Sequence, residues 1–168
     1  SKEAMVLEML EARVKPINQR RMQYLSEARD RSEGKPLSTR DILCALILPI
    51  GEEIAKSTHT RQILAQLVAR TFTEPAKFIQ MMHRKFFGEL CEKFIDELRK
   101  AHPEVKEVDL YWNLHFAISS MLGALAQHRR LNDFSKGMCY EGDTQDMINR
   151  LITFATHGFE AGISRPSL

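Results

Sequence analysis

Six histidines, at positions 59, 83, 102, 115, 128 and 157, and three cysteines, at 44, 91 and 139, have the widest chemical repertoire in this chain. Neither set is grouped for catalysis. There is no Cys-x-x-Cys pair and no histidine at zinc-ligand spacing, and His-Glu-x-x-His, Gly-x-Ser-x-Gly and glycine-rich phosphate loops are all missing. The acidic residues fall on charged helical faces, where solvation accounts for them. No catalytic residue, metal or cofactor is expected, and an enzyme reading would need a helical active site without a motif.

His83 is the one chemically suggestive position. With 100° per residue it falls between Phe86 and Phe94, inside an apolar sector where a polar ring needs a partner. That partner is either another core group or the polar atom of a ligand in a cavity. Met5, Met9, Met22, Met81, Met82 and Met121 suit an adaptable cavity wall, yet at helical spacing they equally suit a plain core. Trp112 and Tyr24 carry the same two readings.

The elements that position these residues are helices throughout. The chain has 168 residues, 43% hydrophobic and 27% charged, with a net charge of +2. That composition builds one globular domain, excludes disorder, and gives no strong basic field for nucleic acid. No apolar run reaches the roughly 18 residues of a membrane span, so no membrane partner is expected. The unpaired cysteines and the lack of a signal sequence point to the cytoplasm.

Apolar spacing of three and four recurs end to end, and no strand-like alternation occurs. The fold class is all-α, an antiparallel bundle of about six to eight helices, with a domain over 1–163 and a frayed tail over 164–168. Helix one starts at Ser1 as N-cap, and Pro16 either kinks it or opens a second helix. Ser38 with Asp41, and Asp143 with Asp146, make capping-box-like starts. Pro49 kinks the helix that Ser38 opens. A short helix starts near Thr58–Thr60 and runs to Phe72. Thr73-Glu74-Pro75 predicts the start of the longest helix, continuing to His102. Residues 129–142 read as a polar loop.

Two helices have apolar arcs wider than one core needs: Val105–Gln127, apolar nearly all round, and Asp143–Gly162. Either they are central in a monomer, or a second copy covers them. Ser119 and Gly123, and Gly158 and Gly162, are small residues four apart that permit close helix approach. Together with Leu151 and Ala155 they form the expected homodimer interface.

The opening Ser1-Lys2-Glu3-Ala4-Met5, followed by apolar residues, resembles the start of the fourth helix in TetR-family transcriptional repressors. The kink at Pro16 with Asn18 and Arg20-Arg21, the proline inside the next helix, the long helix and two final helices are similar too. The resemblance implies a ligand-binding and dimerisation domain whose three-helix DNA-binding head lies outside this sequence. It implies that Lys2 reaches a DNA phosphate and that operator DNA is a partner through that head. Rotation of the first helix by an effector would change the spacing of two recognition helices that must sit about 34 Å apart. Following the family arrangement, the pocket lies between helix 16–31, helix 60–72 and the long helix. Its expected lining is Met22, Leu25, Ile63, Leu67, Met82, His83, Phe86 and Trp112, with His83 as the polar contact for a small hydrophobic or aromatic effector. A free-standing helical dimerisation and protein-interaction module is the alternative.

Overall fold

The computed structural model describes residues 2–139 and 142–164, without the side chains of Lys2, Glu3 and His128. The Ser1 cap, the Lys2 phosphate contact and the tail over 165–168 therefore lie outside the described residues. Eight helices and no strand occur among them: α1 (Lys2–Arg31), α2 (Thr39–Ala55), α3 (Thr58–Thr71), α4 (Ala76–Phe86), α5 (Gly88–Ala101), α6 (Glu107–Ala126), α7 (His128–Phe134) and α8 (Thr144–Ile163).

The local signals set most starts. Ser38 Oγ accepts the N–H of Asp41 at 3.0 Å and donates to its carboxylate at 2.7 Å. Asp143 accepts the N–H of Asp146 at 2.9 Å. Ser57 caps α3 by accepting the N–H of Thr60 at 3.0 Å. Each cap satisfies an otherwise orphaned amide of the first turn.

Four expectations need correction. Pro16 opens no second helix, since α1 runs unbroken through it for 30 residues. Pro16 and Ala12 are both exposed, so water can serve the carbonyl that the proline leaves without its helical donor. The stretch from Thr73 to His102 is two helices, not one. Phe87 closes α4 by donating its N–H to the His83 carbonyl at 2.8 Å and opens α5 by accepting the N–H of Cys91 at 2.8 Å. Its φ of −127° and ψ of −18° redirect the chain, with Gly88 following. The Thr73 hydroxyl does not cap α4; it donates to the Arg70 carbonyl at the end of α3. Finally, the polar segment after Gln127 contains the short helix α7.

Two apolar cores result. The larger draws on α1 beyond Pro16 (Ile17, Leu25, Ala28), on α2, and on α5, α6 and α8, with Phe94, Ile95 and Leu98 almost wholly removed from water. The smaller joins Val6 and Leu10 of α1 to Leu67 of α3 and to Phe78 and Met82 of α4. Pro16 and Phe87–Gly88 both stand where one core gives way to the other. At the crossing of α2 and α8, Gly51 permits close approach, since a Cβ there would stand 2.8 Å from Ile148 Cγ1 and force that side chain to shift.

Candidate functional site

A charged residue inside the apolar stripe of α1 organises the site. Ile17, Arg21, Leu25 and Ala28 share one face, and all four are buried. Arg21 Nε donates to the Leu46 carbonyl at 2.8 Å, in the turn of α2 that precedes Pro49. Its Nη1 donates to Asn18 Oδ1 at 2.9 Å, and Nη2 reaches Met121 Sδ at 3.8 Å. No carboxylate of the described residues stands within ion-pair distance of it. Burial pulls its pKa down to about 10, against a small opposing pull from the Cys91 thiol. That thiol is itself pushed up by burial. The guanidinium is thus held by neutral acceptors alone, in surroundings where unbalanced charge is costly.

Asn18 carries this network to the surface. Its Nδ2 donates to the Phe86 carbonyl, the last residue of α4, at 2.7 Å. Two ion pairs bracket this bond, Lys85 with Glu11 at 2.9 Å and Arg29 with Glu97 at 2.6 Å. Residues 11, 18 and 29 of α1 therefore meet 85, 86 and 97 in the same order, which sets α1 side by side with α4–α5. Between them runs an open groove of about 850 Å3. Its α1 wall includes Glu11, Lys15, Asn18, Gln19 and Met22; its other wall includes Lys85, Phe86, Glu89, Leu90 and Lys93. From Glu11 to Gln23, one wall is roughly 18 Å long at the helical rise. The volume falls in the range of small-molecule sites.

Of the eight residues expected to line a pocket, the structure brings only Met22 and Phe86 to this groove. Leu25 is fully buried in the larger core. Leu67 and Met82 fill the smaller one, with Ile63 packed against it. Trp112 is 55% exposed on α6, stacked on Phe116 at 5.6 Å. His83 is exposed, its ring 6.3 Å from that of Phe87. The buried stripe of α4 centres on Phe78 and Met82, roughly 120° round the axis from His83 at 100° per residue. The sequence phase placed His83 by reference to Phe94, but the break at Phe87 puts Phe94 on a different helix. Asn18, Gln19, Leu90 and Lys93 were missed. Arg21, a charge in an apolar stripe that demands partners, was the signal that could have found Asn18.

The second apolar arc of α6 is real but lies outside the chain's own core. Leu110, Leu114, Ala117, Met121 and Leu125 are buried, while Trp112 and Phe116 are exposed, and on α8 Phe154 is 68% exposed. Leu151 and Ala155 are buried within the chain and do not face outward. Gly162 is filled from within as well, since a Cβ there would overlap the side-chain amide of Asn113. Gly123 and Gly158 meet nothing that a Cβ would touch, and Ser119 is exposed.

Among the described residues no three His, Cys, Asp or Glu side chains gather as a metal site, and no helix is long and apolar enough to cross a membrane. No curated protein matches the chain significantly. The family model described as the tetracyclin repressor-like C-terminal domain matches residues 44–158, which covers α6, the greater part of α2 and α8, and everything between. The chain belongs to that family. It is a regulator's ligand-binding and dimerisation domain, of a kind that is regulatory rather than catalytic.

Proposed function

We propose that the groove between α1 and α4–α5 is the effector site, and that its occupancy controls DNA binding by an N-terminal helix-turn-helix in a cytoplasmic homodimeric repressor. One observation carries this reading: the groove lies across the junction of the two cores, its α1 wall running from Glu11 past the level of Pro16 to Gln23 and its other wall running from Lys85 past the Phe87–Gly88 break to Lys93. A ligand bound there touches both bodies and shifts their relative position by as much as it prefers one arrangement over another. The first half of α1 rides on the smaller core, so the shift reaches the end of the chain that leads to the proposed head. A coupling of about 1 to 3 kcal/mol makes a useful switch.

Trp112, Phe116 and Phe154 supply the proposed interface between two copies, on the α6–α8 side. Exposed aromatics on adjoining helices are the material of a buried interface centre.

The test uses the product of the complete reading frame and its own upstream DNA. Gln19 is exposed on the groove wall, so Gln19→Trp fills the groove without removing core packing. The variant should shift operator affinity by fivefold or more while its thermal midpoint stays put. A reading frame with no upstream helix-turn-helix leaves the interaction-module alternative. Equal operator binding by wild type and variant overturns the groove as effector site.

A further inference from the structure

Charge along the groove is unevenly matched. Three ammonium groups, on Lys15, Lys85 and Lys93, face two carboxylates, on Glu11 and Glu89. Glu11 is committed to Lys85 by an ion pair at 2.9 Å and is drawn on by Lys15 as well, so one carboxylate serves two lysines at that end. Lys85 is further occupied over the Phe86 ring at 5.0 Å. Glu89 stands one helical turn before Lys93. One hydrogen bond behind the wall, the Arg21 guanidinium adds a positive charge with no carboxylate of its own. The field of a buried charge is weakly screened and extends into the groove. Met22, Phe86 and Leu90 supply apolar surface along the same trench.

We propose that the groove takes an amphipathic monocarboxylate, with an apolar body laid along Met22, Phe86 and Leu90 and its carboxylate drawn to Lys15, at the end where one carboxylate serves two lysines. This rests on the reading of the groove as the effector site and adds the ligand's chemical class. It also gives Lys15 the polar-contact role that the sequence expectation gave to His83. A neutral amphiphile gains the same apolar contact but leaves the excess cations unanswered, and an ammonium amphiphile adds to them. Preference therefore follows charge in the order acid, alcohol, amine.

Titration calorimetry at pH 7.5 with octanoate, 1-octanol and octylammonium, on wild type, Lys15→Gln, Lys93→Gln, the double variant and Gln19→Trp, separates the possibilities. Octanoate should bind most tightly, weaken about threefold in Lys15→Gln and in the double variant, as expected for an exposed charge pair, and change little in Lys93→Gln. Octanol binding should stay unchanged by the lysine variants, and Gln19→Trp should abolish binding of both. Equal binding of octanol and octanoate, sensitive to Gln19→Trp, overturns the acid preference and leaves the effector groove standing. Octanoate binding unaffected by all four variants places the acid elsewhere and overturns the proposal. Absence of octanoate binding overturns the proposal, while the effector groove stands or falls on the operator measurement.

Discussion

Asn18 donates its side-chain amide proton to the backbone carbonyl of Phe86 at 2.7 Å, joining residues 68 apart in sequence. The same side chain accepts from Arg21 through its oxygen, so one amide serves both the α4–α5 junction and a buried guanidinium. Replacing it leaves the buried guanidinium and a part-buried carbonyl each short of a partner.

Asn18→Leu should therefore destabilise the fold by about 1 to 3 kcal/mol, because the buried guanidinium of Arg21 is left short of an acceptor. Urea denaturation followed by far-UV circular dichroism measures it. A loss under about 0.5 kcal/mol would show that the Asn18 network contributes nothing net.

Gly51→Ala and Gly158→Ala should move stability in opposite directions. The new methyl at 51 meets Ile148 in the buried α2–α8 crossing and should cost about 1 to 3 kcal/mol. At 158 it meets nothing within the chain, and alanine is the better helix former by about 1 kcal/mol. Thermal midpoints of the two variants, compared at low protein concentration, decide this.

Phe154→Glu should convert a dimer to monomers while leaving the circular dichroism spectrum intact, since Phe154 is 68% exposed in the single chain. Sedimentation velocity at micromolar concentration is the measurement. A monomeric wild type, or a variant that still dimerises, removes the α6–α8 face as the interface.

Acid should weaken the α1–α5 contact through Glu97. Burial pushes its carboxyl up, but hydrogen bonds from Arg29 and Lys100 outweigh this and hold it below its ordinary value of 4.5. A carboxylate with a lowered folded-state pKa adds stability that is fully present above about pH 4.5 and is lost as pH falls through the folded value. Glu97→Gln should flatten the stability profile below pH 4.5 and lower stability at pH 7. A parallel pair of profiles would show that Glu97 titrates alike in both states.

Helix class, two of the caps and the family were legible because each depends on residues close in sequence, Ser38 with Asp41 and Asp143 with Asp146 among them. The break at Phe87 was not, because no proline marks it and the apolar spacing runs on across it. That single omission misplaced His83. Leu151, Ala155 and Gly162 were assigned outward for a related reason: periodicity shows that a helix has a wide apolar arc, but which half meets α2 and which meets solvent is fixed only by the packing of distant segments. Arg21 shows the reverse case, a signal present but unread: a charge on an otherwise apolar helical face marks a structural demand for partners.

The unbroken passage of α1 through Pro16 gives the smaller core mechanical leverage. Fourteen residues precede the proline, a rigid arm of roughly 21 Å at the helical rise. A change of only 10° in the bend at its base would swing the backbone of Lys2 by roughly 4 Å on that arm. Since a proline interior to a helix lacks one restoring hydrogen bond, such a bend is among the softest motions open to this helix. On the proposed reading, a subtle rearrangement in the groove would thereby be magnified at the far end of this arm without any helix having to melt.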